Sequence, residues 1–256
     1  MPWRPGQDLL DLLELAAPAA CGGCGEAGTR WCPACADALA DGGPRRWTPT
    51  PCPPGFPPTW TGTAYRDLAR SAVVGWKDGG RADLTPALAV PLRAVLAAAL
   101  DGSPEHLAAL GGGGPVPVLP APSARASTRA RGEHRVEALA RTALRGRRSV
   151  LPVVDGLRLG RRVADQAGLD AGQRRRNLAG AVVVRPTAVA RVEGAPCIVV
   201  DDVVTTGATL VECARALVTA GAGPVVAVTL AATHRRPPRA PSSTVRGPLS
   251  EPSGRD

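Results

Sequence analysis

Aromatic residues make up only 3% of this 256-residue chain, with one Phe and one Tyr among them. That scarcity excludes a run of aromatic side chains on which the bases of a single strand could stack. Lysine is scarcer still, since Lys77 is the only one. The formal charge of +9, from 31 Lys and Arg against 22 Asp and Glu, is therefore almost wholly arginine. Planar guanidinium groups suit oxyanions such as phosphate, which they meet through paired hydrogen bonds. Histidine is limited to three residues, and neither His106 nor His234 stands in a constellation that would support a Ser/His/Asp triad. Long apolar runs are missing too: no stretch approaches the roughly 20 residues that a membrane span needs. The opening MPWRPGQDLLDLLELAAPAA carries Asp8, Asp11 and Glu14 through its apolar part and lacks a signal-peptide core, so a cytoplasmic protein is expected.

What the chain does contain is enough Ala, Val and Leu, within 44% hydrophobic residues, to bury the core of one mid-sized domain with small attachments. Leu at 9, 10, 12, 13 and 15 gives a short amphipathic helix that runs into a cysteine cluster, so residues 1–40 read as a small front lobe. Residues 41–62, rich in Pro, Gly and Thr, read as a linker. The main domain is expected over 63–232, and a disordered basic tail over 233–256. Within the domain, two helical segments are interrupted at Lys77–Gly80, PVPVLP reads as a short buried strand leading into an Arg-rich loop, and residues 133–146 read as a helix. Residues 149–164 and 165–178 form a polar, Arg-heavy excursion. AGAVVV (179–184), APCIVV (195–200) and GPVVAVTLAA (223–232) have the Val-rich composition of parallel strands buried on both faces. Between the last two, Leu210, Ala214, Leu217 and Val218 share a helical face, with Gly221 placed to end the helix. The expected class is α/β, a parallel sheet flanked by helices.

Seven cysteines are an odd number, and four of them crowd into residues 21–35, which argues for a metal site in a reducing compartment over a disulfide framework. Cys21, Cys24, Cys32 and Cys35 follow a C-x2-C-x7-C-x2-C pattern. Each pair can offer two thiolates from a tight knuckle, and four thiolates complete a closed structural Zn²⁺ site; free thiols or a redox pair are the alternatives. Cys197 and Cys213 read as small buried apolar residues.

The most informative stretch is CIVVDDVVTTGATL, residues 197–210. Two adjacent carboxylates at the end of a buried strand are unfavourable without a task, because repulsion and desolvation both oppose them. Open α/β sheets bind ligands at that edge. The amides and hydroxyls of Thr205, Thr206, Gly207, Ala208 and Thr209 can cradle a phosphate at the positive end of the following helix, while Asp201 and Asp202 accept hydrogen bonds from a sugar diol. An acidic helix-capping turn without a ligand is the alternative.

This stretch resembles the phosphoribosyl pyrophosphate (PRPP) motif of type I phosphoribosyltransferases. With CGGCGEAGTRWCPAC, YRDLARSAVVGWKDGG, PVPVLPAPSARASTRARGEHRVEALA and QAGLDAGQRRRNLAGA before it, the order and spacing resemble the ComF family, competence-associated phosphoribosyltransferase-like proteins, over about residues 9–232. The resemblance implies a type I phosphoribosyltransferase fold with a small amino-terminal zinc-binding lobe, binding of PRPP or ribose 5-phosphate with Mg²⁺, and phosphoribosyl transfer to an acceptor. It also implies an alternative, a PRPP-binding sensor or scaffold acting with a helicase-like partner and single-stranded DNA. Asp201, Asp202 and Arg131 are then the catalytic candidates. Arg125, Arg129 and Arg131 fall where pyrophosphate would sit, with a solvated basic loop as the alternative. Arg174 and Asn177 belong to a stretch similar to the superfamily's mobile flap, or to a plain linker. Lys77 would contact the ligand, or stand in a solvated turn. The family's usual R-G-F-N-Q is replaced by Arg131-Gly132-Glu133-His134-Arg135, and Cys52 stands alone where relatives carry a second CxxC. Thr205 stands where purine-salvage members carry an aspartate, which disfavours a purine acceptor.

Overall fold

Strands buried on both faces need helices on each side, and the computed structural model, which describes residues 19–122, 134–160 and 179–233, has that arrangement. The strands are β1 (Arg45–Arg46), β2 (Thr59–Ala64), β3 (Val118–Pro120), β4 (Leu157–Leu159), β5 (Val182–Val184), β6 (Cys197–Val204) and β7 (Val225–Ala232). The α-helices are α1 (Pro33–Ala40), α2 (Asp67–Lys77), α3 (Thr85–Asp101), α4 (Pro104–Gly111), α5 (Arg135–Ala143), α6 (Val189–Val192) and α7 (Ala208–Thr219). The main sheet has the order β1-β2-β7-β6-β3. All of its pairings are parallel except that of β1 with β2. The register sets Ala64 and Val204 beside Ala232, so the carboxyl ends of β2, β7 and β6 form one edge.

Alternation along β6 feeds two cores. Ile198 and Val200 meet Leu88, Leu92 and Val95 of α3 and Leu139 of α5 on one face. Cys197 and Val199 meet Leu210, Cys213 and Leu217 of α7 on the other, with Trp47 and Val182 in the same cluster. Cys197 and Cys213 are buried as expected.

The structure departs from the sequence reading in several places. Leu157–Leu159, expected within the polar excursion, form β4 with Leu157 buried. Residues 59–62, expected in the linker, form most of β2, whose Thr59, Trp60 and Thr61 are buried. Gly62 is needed there because a Cβ would lie 2.9 Å from the Leu230 carbonyl oxygen. The Val-rich 182–184 run leaves the parallel sheet and pairs antiparallel with β4, where Val182 is buried beneath α7. On α7, Val218 is 61% exposed, and Cys213 takes its place on the buried face beside Leu210, Ala214 and Leu217. Finally, Ala82–Asp101 is long and apolar enough by composition to cross a membrane. Leu84, Leu88, Leu92, Val95, Leu96 and Ala99 from that stretch are buried, which is how a core helix earns the same composition.

His106 of α4 is fully buried, with Nε2 3.1 Å from the Cys197 carbonyl oxygen. Burial holds its imidazole below the usual pKa, so it is a neutral tie between α4 and the start of β6. The expected helix at 8–17 and the basic tail lie outside the described residues, apart from Thr233.

Candidate functional site

Asp201 and Asp202 lie near the end of β6 and point to opposite faces, as a strand requires. Asp202 is 2% exposed, and Asp201 is half-buried. Backbone amides hold both carboxylates: Asp202 N–H donates to Asp201 Oδ1 at 2.9 Å, and Val203 N–H donates to Asp202 Oδ1 at 2.7 Å. Asp201 is in register with Thr229, and Thr229 with Thr61, so a buried polar row crosses three strands.

Lys77, at the last position of α2, brings its Nζ to 2.5 Å from Asp202 Oδ2. Burial works against the ammonium, but the charges of Asp202 and then Asp201 outweigh it and raise its pKa. The helix carboxyl terminus favours a cation there as well. The chain's only lysine is therefore an ion-pair partner of the acidic pair, and not a solvated turn residue. Tyr65, which sequence reasoning missed, is close enough to feel the charges of Asp202 and Lys77; burial raises its phenol pKa.

Burial first, and the Asp202 charge second, push Asp201 up to about 7, well above the usual carboxylate range, against the opposing pull of Lys77. The sign of the stability effect follows. A carboxyl whose folded pKa is raised contributes stability below its unfolded pKa, near 4, and that stability is lost as pH rises through 7. Asp201→Asn should match wild type in thermal stability at pH 4 and exceed it at pH 8, by on the order of 2–4 kcal/mol. Equal stability of the two proteins at pH 8 would show that Asp201 ionises without hindrance.

After β6, Thr205 and Thr206 bend into Gly207, whose φ of +76° makes it the left-handed N-cap of α7. Gly207 has no side chain to cap the helix, and Ala208 N–H makes only a long bond of 3.5 Å to Thr206 Oγ1, so the amides of this first turn can serve another acceptor. Those amides, the hydroxyls of Thr205, Thr206 and Thr209, and Asp201 line one shallow depression. This is the geometry of an anion site at a helix amino terminus. A Cβ on Gly207 would lie 2.5 Å from Phe56 Cε2. Phe56, the only Phe in the chain, makes an edge contact with buried Trp47 at 6.0 Å between ring centroids. The segment expected as a linker thus packs against the glycine of this turn.

The four cysteines form the second site. Their Sγ atoms all lie within 4.8 Å of one another, and Cys21, Cys32 and Cys35 are buried. Cys32 Sγ is 3.7 Å from Cys21 Sγ and 3.8 Å from Cys24 Sγ. Four thiolates at about 2.3 Å from one tetrahedral zinc would stand at about that spacing. Burial opposes ionisation of Cys21, but the amides of Cys24, Cys32 and Gly23 outweigh it and bring the thiol down to about 6. Burial, and then the neighbouring thiols, push Cys35 upward. A closed donor set of this kind fits structural zinc. Gly23 has no room for a side chain, since its Cβ would lie 2.6 Å from Cys35 Sγ. The lobe is docked on the domain, with Gly22 against Leu84 and Gly23 against Leu68.

The fold brings together Lys77, Asp201, Asp202 and Thr205–Thr209, while the cysteine site is built from other elements. Arg125, Arg129, Arg131, Arg174 and Asn177 lie outside the described residues. A search of curated proteins found no match to the chain. Residues 155–248, which hold β4 to β7 and the Asp201–Thr209 segment, match the family model described as "Phosphoribosyl transferase domain", and the four-cysteine cluster lies ahead of that stretch in the chain.

Proposed function

We propose that the protein is a ComF-like phosphoribosyltransferase that binds PRPP with Mg²⁺ and transfers its phosphoribosyl group to an acceptor. The observation that carries this reading is the end of β6: two hydrogen-bonded carboxylates followed by a left-handed glycine turn at the amino terminus of α7. The turn offers amides to the 5-phosphate, and Asp201 and Asp202 accept from the ribose hydroxyls. Lys77 orients Asp202 before the sugar arrives. Carboxylate oxygens are hard donors, a chemistry that fits Mg²⁺ nearby. Asp201 and Asp202 would hold Mg²⁺, and the ion when bound would supply positive charge against the charge that develops on the departing pyrophosphate. Arg125, Arg129 and Arg131 follow β3 in the chain and would add guanidinium donors to the pyrophosphate, with Arg174 and Asn177 closing over it. Zinc would hold the amino-terminal lobe, and a cytoplasmic setting would keep its thiols reduced.

Calorimetry with PRPP and Mg²⁺ tests the grip. Wild type should bind both PRPP and ribose 5-phosphate, and Asp202→Asn should weaken both by about tenfold or more, as expected for loss of a charged hydrogen-bond acceptor. Unchanged affinity for both ligands would refute the assignment. Pyrophosphate release then separates a transferase from a sensor or scaffold that acts with a helicase-like partner and single-stranded DNA. In a transferase, Arg131→Ala should depress turnover more than PRPP affinity, because only interactions that strengthen in the transition state raise the rate. Tight PRPP binding with no release across ammonia, nucleobases and single-stranded DNA would establish the sensor.

A further inference from the structure

Thr61 of β2 and Thr229 of β7 are fully buried, and neither Oγ1 has a hydrogen-bond partner among the described residues. A buried hydroxyl without a partner is destabilising, because it gives up its bonds to water and gains none in return. We propose that Thr229, backed by Thr61, is a positioning residue of the ribose site: when the sugar binds, its hydroxyl donates to the Asp201 carboxylate and aims that group at the ribose diol. The proposal rests on the phosphoribosyl reading above and names what stands behind Asp201.

The register puts the three side chains in one line. Thr61 pairs with Thr229, and Thr229 with Asp201, through parallel strands. Paired residues of such strands point to the same face, and the packing identifies which face it is. Two residues earlier, Val199 and Ala227 are also paired, and both enter the core beneath α7 with Cys213 and Leu217. Asp201 is on that side as well, since its charge adds to burial in raising the Cys213 thiol. Neighbouring strands lie about 4.8 Å apart, so rotation about one side-chain bond brings a threonine hydroxyl within reach of the carboxylate beside it.

Thr59 provides an internal comparison. It lies on the same face of β2 and is 2% exposed, and its hydroxyl donates to the Pro57 carbonyl oxygen at 2.8 Å. A threonine in this layer can therefore be satisfied within the fold. Thr61 and Thr229 sit deeper, each with a paired strand on both sides. Valine would suit those positions as strand residues and would leave no hydroxyl unmet.

The hydroxyls match what Asp201 needs once it is occupied. Its Oδ1 accepts from Asp202 N–H, and a carboxylate has sites for about four donors in all. Accepting from the diol holds Asp201 as an anion at a strand end where burial and the Asp202 charge both oppose it. Thr229 then donates to that anion and Thr61 donates to Thr229, so each hydroxyl polarises the next. Thr229 touches no substrate atom; it acts through Asp201.

The test uses the full chain, with calorimetry against ribose 5-phosphate in the presence of Mg²⁺ and thermal melts of the same proteins. Thr229→Val removes the hydroxyl at nearly constant shape. It should raise Tm by about 2–4 °C, yet raise the Kd for ribose 5-phosphate about tenfold, as expected for loss of one hydrogen bond to a charged group. Thr229→Ser keeps the hydroxyl and should bind about as tightly as wild type. Thr61→Val should move both readouts in the same directions and by less, which carries the test if Thr229→Val does not fold. Because Thr229 acts through Asp201, the double variant Asp201→Asn, Thr229→Val should bind no more weakly than Asp201→Asn alone. A purely structural threonine would lower Tm when replaced, or leave the Kd unchanged. Either result, loss of affinity in Thr229→Ser, or penalties that add in the double variant overturns the proposal. Any of these with normal binding by wild type leaves the phosphoribosyl reading standing; failure of wild type to bind ribose 5-phosphate removes that reading instead.

Discussion

Replacing Cys35 with Ser should release one zinc ion per chain and melt the lobe around Cys21–Cys35, while β6, α7 and β7 keep their packing. Structural zinc is worth roughly 10–16 kcal/mol in small peptides near neutral pH, far more than this small lobe could recover from its own apolar contacts. The lobe's buried groups are chiefly the cysteines themselves, with Trp31 and Leu68 packed against them. Its removal takes Leu39 and Trp31 from one edge of the large core but leaves the packing around Leu88, Leu92 and Ile198 in place. The expected signature is a two-step thermal transition in the variant, and a proteolytic cut near residue 40. PRPP binding should survive. Metal analysis of purified wild-type protein showing no zinc, with all thiols freely titratable, would overturn the assignment of these cysteines.

Gly207→Val should abolish useful PRPP affinity. Two effects act together: a β-branched residue forced to a φ of +76°, and a side chain driven into the Phe56 ring. Left-handed strain and overpacking amount to roughly 2–4 kcal/mol of stability. The chain will relieve it by moving the turn, and a turn that moves loses its aim at phosphate. Two charge-assisted amide hydrogen bonds lost correspond to about 100-fold or more in Kd. Phe56→Ala in the Gly207→Val background divides the two causes. Recovery of affinity would assign the effect to the ring, and no recovery would assign it to the backbone. Normal affinity in Gly207→Val alone would remove this turn from the phosphate site.

The elements that could be read from sequence are those whose signal is local. The Val-rich strand, two acids, small hydroxylated turn and following helix stand within fourteen consecutive residues, 197–210. The cysteine spacing is local in the same sense. β2 escaped because TWTGTA carries no long apolar run and follows a proline-rich segment, so its burial comes from α3 and β7, distant in sequence. The 182–184 run reads as a strand of the main sheet because three valines look alike in a parallel and an antiparallel strand; its partner, Leu157–Leu159, lies inside the stretch read as a polar excursion. Likewise, nothing near Lys77 or Phe56 in the chain announces that one meets Asp202 and the other Gly207. Contacts between distant segments are set by topology, and topology is the part a local pattern does not carry.

The position of β2 and β3 bears on how the protein can be cut. The family match begins at residue 155, yet the outer neighbour of β7 is β2 and that of β6 is β3, and both precede that residue. A fragment starting at 155 would keep the phosphate turn but present two bare strand edges and an uncovered apolar face, the recipe for edge-to-edge aggregation. The matched interval is thus a signature and not a unit of folding. Any shortened protein meant for binding studies has to start ahead of Thr59, and to retain Phe56 it has to start earlier still.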